Sequence, residues 1–259
     1  MSVDLNITGG VARVTINRPE RMNAVDLATS DRLEAIWQQI ERDPSVRCVV
    51  LSGAGEKAFS AGADMKSGDK AKSGVQYWAD GNPMGFGGIT FRDTLKVPVI
   101  ARVNGFALGG GMEMVLGADI VIAAEHARFG LTEARVGRLP LDGGMVLLQR
   151  LIPRNIAAGM MLTGRMVPAA EMARYGLINA VVPAPELDAE VDRWIADITA
   201  CAPLSLRAIK AMMRRTAQMS AREAAGARLP ELIEALNSED QHEGVAAFNE
   251  KRAPVWKGH

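Results

Sequence analysis

Apolar and polar residues alternate through Val11-Ala12-Arg13-Val14-Thr15-Ile16, the period-two pattern of a strand with one buried face. Asn17-Arg18-Pro19 ends it, because proline supplies no N–H to the ladder. From Asp26 the period lengthens: Leu33, Ile36, Trp37 and Ile40 recur at helical spacing until Asp43-Pro44 stops them. Apolar runs at Val46–Ser52, Val97–Val103 and Ala118–Ala124 read as strands covered on both faces. Strands alternating with helices in this order predict an α/β chain of βαβ units around a largely parallel sheet. Beyond Gly143 helical periodicity dominates, over 143–151, 155–163, 169–175, 186–200, 203–219, 221–236 and 238–250, with one short strand expected at Ile178–Val182.

One stretch breaks the alternation. Met65–Thr94 carries Gly68, Gly74, Gly81, Gly85, Gly87 and Gly88 among charged residues and a few aromatics, and reads as a loop or broken helix, either a lid or a surface excursion.

Composition narrows the class. The chain has 259 residues, 48% hydrophobic and 23% charged, which suits a globular protein with a sizeable core. Lys+Arg and Asp+Glu both total 30, so no global field draws the chain to nucleic acid or a membrane surface. The basic helical face of Arg207, Lys210, Arg214 and Arg215 reads as solvated or set over acidic neighbours. Cys48 and Cys201 lack partners at ligand spacing and read as reduced core thiols. The start, Met1-Ser2-Val3-Asp4, has no basic and apolar leader, and no run reaches about 18 apolar residues; a cytoplasmic protein without a membrane or metal partner is expected.

Two segments place glycines beside acids where the backbone must approach something closely. They are Ala58-Phe59-Ser60-Ala61-Gly62-Ala63-Asp64 and Val103-Asn104-Gly105-Phe106-Ala107-Leu108-Gly109-Gly110-Gly111-Met112-Glu113. Three glycines opening a helix leave N–H donors open to a substrate oxygen, or else allow close helix–sheet packing. Glu113, flanked by Met112 and Met114 on the first turn, is desolvated and reads as a general acid or base, or as a helix-dipole partner. Glu133, after the Ala118–Ala124 strand, reads as a second acid or as part of a capping arrangement with a nearby hydroxyl.

These two motifs, the spacing of Glu113 and Glu133, and the tail Ser238-Glu239-Asp240…Glu243-Gly244…Phe248-Asn249-Glu250-Lys251-Arg252 resemble the enoyl-CoA hydratase/isomerase (crotonase) family over essentially the whole chain. The resemblance implies a crotonase-like spiral of ββα/βαβ units over residues 1–195. A C-terminal helical region over 196–259 would serve trimerisation, as a trimer or dimer of trimers, and contacts to coenzyme A. It implies that the backbone amides of Ala63 and Gly110 polarise a thioester carbonyl and stabilise an enolate, a role worth about 3–4 kcal/mol per donor in comparable sites. Glu113 would activate water and Glu133 deliver the proton to the α-carbon. Contacts to an acyl-CoA substrate would come from Asn23, Ala24, Val25, Ala61, Asp64, Met65 and Lys66, and from Phe248 and Lys251 of an adjacent subunit. No cofactor beyond the substrate's coenzyme A is implied.

The chain departs from the family's Pro-Gly-Ala-Gly-Gly stretch with Pro140-Leu141-Asp142-Gly143-Gly144. Leu141 would narrow the acyl pocket. Asp142 reads as the N-cap of the helix starting at Gly143, or as a third carboxylate at the site. Met65, Tyr77, Trp78, Met84 and Phe86 would line the acyl pocket if the glycine-rich stretch folds over it. Hydration of a 2-enoyl-CoA is the leading activity. The alternatives are an enoyl-CoA isomerase, a carnitine-type acyl-CoA hydratase/dehydratase and, remotely, a non-catalytic RNA-binding or scaffolding relative.

Overall fold

The computed structural model of the protein describes residues 1–66 and 74–259; residues 67–73 of the glycine-rich stretch lie outside them. The first half runs β1 (Val3–Thr8), β2 (Val11–Ile16), α1 (Leu27–Arg42), β3 (Cys48–Gly53), β4 (Ala58–Ser60), α2 (Gly74–Ala79), β5 (Val99–Val103), β6 (Phe106–Leu108), α3 (Gly110–Leu116), β7 (Ile120–Ala124) and β8 (Arg128–Gly130). The second half runs α4 (Gly144–Leu151), α5 (Arg154–Thr163), β9 (Val167–Pro168), α6 (Ala169–Arg174), β10 (Ala180–Val182), α7 (Leu187–Ala200), α8 (Pro203–Arg215), α9 (Ala221–Gly226), α10 (Pro230–Leu236) and α11 (Glu239–Glu250). Among the described residues no helix is long and apolar enough to cross a membrane.

Two sheets stack as a spiral. The larger has the order β1-β2-β3-β5-β7-β10, antiparallel at β1–β2 and parallel thereafter; the smaller has the order β4-β6-β8-β9. Each turn gives one strand to the larger sheet and, a few residues later, one to the smaller: β3 then β4, β5 then β6, β7 then β8. β4, β6 and β8 are therefore parallel neighbours, about 4.8 Å apart by ordinary strand spacing.

Side-chain alternation explains why the larger sheet is covered on both faces. Val49, Leu51, Val99, Ala101, Val121 and Ala123 point into the main core with α1's Leu33, Ile36, Trp37 and Ile40. Cys48, Val50, Ile100, Ile122 and Ala124 point the other way, onto Leu187, Val191, Ile195 and Ile198 of α7. α1 starts where the sequence places it, with the Asp26 carboxylate accepting the Thr29 N–H at 2.9 Å.

Several expectations change. The stretch 221–236 is two helices, because Pro230 starts α10 after a break. α7 packs its buried face on the larger sheet. Cys48 is a buried thiol as expected, but Cys201, at the C-terminal end of α7, is exposed. The basic face of α8 is largely consumed inside the molecule. Lys210 Nζ meets Asp119 at 2.7 Å and the Val97 carbonyl at 2.6 Å, Arg214 bonds the Gly117 carbonyl at 2.7 Å, and Arg215 pairs with Glu231 at 3.0 Å. A nucleic-acid surface there loses its charges.

Candidate active site

Three consecutive strand ends of the smaller sheet deliver the site. β4 runs into Ala61-Gly62-Ala63, β6 into Gly109-Gly110, and β8 into the short helical turn Glu133–Val136. The first two loops abut: a Cβ on Gly62 would lie 2.8 Å from the Gly110 nitrogen.

Ala63 is clamped by its neighbours. Val25 N–H donates to the Gly62 carbonyl at 2.8 Å and Asp64 N–H to the Val25 carbonyl at 2.9 Å, a one-residue parallel bridge that turns the amide of exposed Ala63 away from Val25. The brace extends inward. Asn23, at φ 54 and fully buried, donates to the Ala54 and Ala58 carbonyls at 2.9 and 2.7 Å and accepts the Arg18 N–H at 3.0 Å. Arg18 also pairs with Asp64 and Asp26, each at 2.9 Å. The backbone amides of Asn23, Ala24 and Val25 all donate within the chain. The segment therefore acts on the site by fixing Ala63.

Gly110 opens α3 and its amide has no carbonyl behind it to accept. Gly109 before it sits at φ 54, ψ −126, a backbone that residues with a Cβ rarely adopt. A Cβ on Gly111 would stand 2.1 Å from the Ser60 carbonyl oxygen, and one on Gly110 2.5 Å from the Phe86 ring. The triple glycine thus packs closely at Gly111 and leaves the Gly110 amide at the free start of the helix.

Glu113, on the first turn of α3, is 2% exposed and accepts the Gly144 N–H, at the start of α4, at 2.9 Å. Burial pushes its carboxyl up to about 8; the Gly144 N–H opposes this, and the negative neighbours Asp142 and Glu133 reinforce it. Glu133 is also pushed up by burial, and its Oε2 is buried without a hydrogen-bond partner. Its Oε1 lies 3.2 Å from where a Cβ on Gly109 would be, so the carboxylate faces the turn that presents the Gly110 amide. No side-chain cap forms at that helical turn, and the capping reading of Glu133 falls.

Asp142 is not a cap either. Gly143 occupies the N-cap of α4 at φ 126 with no side-chain bond, while the buried Asp142 carboxylate accepts the Tyr77 hydroxyl from α2. Burial raises Asp142 and the Tyr77 hydroxyl lowers it; Tyr77 itself is raised, by burial first and then by its acidic partner. Leu141 is half-buried beside it.

Of the other expected pocket residues, Phe86 lies over Gly110, while Met65 and Trp78 are mostly exposed. A cleft of about 440 Å³ opens beside Ala63 and Asp64, lined among others by Arg18, Arg21, Asp26, Leu27 and Lys66. Phe248, 82% exposed, and Lys251 lie at the end of α11, which packs on α10. Sequence reasoning missed three contributors: Gly144 as the anchor of Glu113, Arg18 as the clamp on Asp64, and Tyr77 as the partner of Asp142. Only the Gly143-Gly144 pair carried a signal, that of a close backbone approach.

The profile of the family described as enoyl-CoA hydratase/isomerase matches residues 6–259. A carnitinyl-CoA dehydratase from Shigella flexneri is 40% identical over 264 residues, and one from Salmonella arizonae 40% identical over 265, each comparison spanning 100% of both chains. Among solved structures, an enoyl-CoA hydratase from Bacillus anthracis superposes with a TM-score of 0.93 at 34% identity, over 100% of both chains.

Proposed function

The chain belongs to the enoyl-CoA hydratase/isomerase family, and on that premise we propose that it is a hydro-lyase that interconverts a 3-hydroxyacyl-CoA and the corresponding 2-enoyl-CoA, with Glu113 and Glu133 as its acid/base pair. The observation that carries this reading is the pair of carboxylates around the Gly109–Gly110 turn, Glu113 buried and Glu133 half-buried with a buried, unpartnered Oε2, neither joined to a cation among the described residues.

The thioester carbonyl oxygen would lie between the amides of Ala63 and Gly110. Removing the proton at C2 places negative charge on that oxygen, and two preorganised N–H donors stabilise it most when the charge is largest. Two acids of raised pKa held close tend to share one proton. With the shared proton on Glu113, whose carboxyl burial pushes up to about 8, the pair stands ready for dehydration. Glu133 takes the C2 proton, the C2–H electron pair forms the enolate, and its collapse expels the C3 hydroxyl as water with a proton from Glu113. Hydration is the reverse, with Glu113 accepting a proton from the attacking water. Relatives named as dehydratases support this direction. Coenzyme A would enter along the cleft beside Ala61, Asp64, Met65 and Lys66, where Arg21 and Lys66 offer charge to phosphates, with Asn23–Val25 as its backing. Phe248 and Lys251 would reach the nucleotide only from a neighbouring subunit.

The test follows the conjugated-thioester absorbance with 3-hydroxybutyryl-CoA and crotonyl-CoA as alternative substrates. Wild type should interconvert them, and Glu113→Gln and Glu133→Gln should each fall at least about a hundredfold. Conversion of a 3-enoyl-CoA without any exchange of water would replace the hydro-lyase reading with an isomerase.

A further inference from the structure

Thr90 stands behind the site rather than in it. It is 4% exposed, and glycines from the segments around Glu113 close on it: a Cβ on Gly85 would lie 2.7 Å from the Thr90 Cβ, one on Gly143 2.6 Å from its Cγ2, and one on Gly117 2.6 Å from its Cα. Gly85 precedes the Phe86 that lies over Gly110, Gly143 precedes the Gly144 whose N–H anchors Glu113, and Gly117 ends α3.

The hydroxyl has a specific partner there. In a full α-helical turn the Gly117 N–H would close on the Glu113 carbonyl, but it donates to the Met114 carbonyl at 3.1 Å. The Thr90 Oγ1 lies 3.1 Å from the Glu113 carbonyl so left over and 3.3 Å from the Phe86 carbonyl. It has one proton to give, and a buried carbonyl without a donor is costly.

Thr90 is itself held from both sides. Trp37 Nε1 donates to the Gly87 carbonyl at 2.7 Å, and Arg92, 2% exposed, donates to the Gly88 carbonyl at 3.1 Å while pairing with Glu34 and Glu41 at 2.9 and 2.6 Å. From α8, Arg214 donates to the carbonyls of Arg92 and Gly117 at 2.5 and 2.7 Å. The Glu113 carboxyl rests on Gly144 and its carbonyl on Thr90, whose methyl abuts Gly143, so both ends of Glu113 refer to one fixed side chain.

We propose that Thr90 is a positioning residue for the acid/base reaction, its hydroxyl holding the Glu113 backbone so that the carboxyl stays on the Gly144 N–H and in place for the water at C3. The proposal rests on the hydro-lyase reading. A methyl in place of the hydroxyl sets carbon against the carbonyl oxygen it had bonded and moves Glu113 outward, and misplacing an acid/base group costs rate more than binding.

The experiment measures crotonyl-CoA hydration by Thr90→Val, which keeps the shape and loses the hydroxyl, and by Thr90→Ser, which keeps the hydroxyl and loses the methyl. Thr90→Val should lower kcat by about tenfold with KM within about twofold of wild type. Thr90→Ser should keep kcat within about threefold of wild type, although the void it opens at Gly143 lowers its melting temperature. A threonine with only a structural role would make activity follow melting temperature. Unchanged kcat in Thr90→Val, or an equal loss in Thr90→Ser, overturns the proposal. If Thr90→Val does not fold, Thr90→Ala against Thr90→Ser decides by the same kcat criterion, since those two differ by the hydroxyl alone.

A readout without turnover separates the positioning from the reaction. Glu113 faces Asp142 before α4, Glu133 after β8 and the Tyr77 phenol of α2; burial and the acids raise its carboxyl, and backbone contacts from Gly144 and, more weakly, Asp142 oppose them. Followed by infrared difference spectroscopy and assigned with Glu113→Gln, the carboxyl should titrate higher in Thr90→Val than in wild type and return to the wild-type value in Thr90→Ser. If wild type consumes neither a 2-enoyl-CoA nor a 3-hydroxyacyl-CoA, the hydro-lyase reading fails, and an unchanged titration in Thr90→Val then removes this proposal as well.

Discussion

A buried carboxyl that titrates at about 8 makes the folded protein bind a proton more tightly than the unfolded chain, in which Glu113 returns to its ordinary value of 4.5. The stability this confers is fully present below the unfolded value and is lost as pH rises through the folded one. Glu113→Gln removes the ionisation while keeping the shape. Its denaturant midpoint should match wild type near pH 4 and exceed it near pH 9, by a margin that grows between those limits. A constant offset at every pH would mean that Glu113 does not titrate in this window. Asp142 shows where the sequence was readable and where it was not. That an acid follows Pro140-Leu141 was plain, but its partner Tyr77 lies 65 residues away, and no local rule relates the two.

α3 shows how much one short element has to satisfy. Its first residues must approach β4 closely, leave one amide open and place Glu113 under α4. The two glycines beside each other should fail differently when replaced. Gly111→Ala drives a methyl into the Ser60 backbone and should lower the melting temperature, by a cost of about 1–3 kcal/mol typical of overpacking. Gly110→Ala meets the Phe86 ring first, a side chain that can shift, so the protein should fold while the approach to the amide is crowded and hydration falls sharply. Thermal melts beside rate measurements separate the two, and equal stability losses would contradict this division of labour. The larger elements were legible because α1 shows a 3.6 period and a capping Asp26, and because β3, β5 and β7 are continuous apolar runs. β4, β6, β8 and β9 were not. At two or three residues each they are too short to show a period, and only the glycines at their ends marked them.

Across the whole molecule, residues 1–200 form the two-sheet spiral and its covering helices, and α8 is tied back to it through Lys210 and Arg214 on Asp119. Farther on, Ile233, Leu236, Val245 and Phe248 remain exposed on α10 and α11. We expect these apolar side chains to be covered by self-association, which the resemblance implied. Light scattering should return a native mass three or six times that of the chain, and a monomer that is fully active would remove any need for Phe248 and Lys251 from a neighbour.

The delivery of Ala63, Gly110 and Glu133 from the ends of three adjacent parallel strands sets different tolerances for change along the chain. Between each strand end and its reactive residue the count is fixed: an inserted residue between Leu108 and Gly110, or between Gly130 and Glu133, moves a working group by about 3 Å, more than such a site withstands. The described part of the arc between Asp64 and Pro98 is under no such count outside its own fixed points, Tyr77 on Asp142, Phe86 at Gly110 and Arg92 on Glu34 and Glu41. Residues can be added or exchanged there to reshape the acyl wall while the distances among amides and glutamates stay as they are. One scaffold can in this way accept a succession of acyl groups without relearning its chemistry.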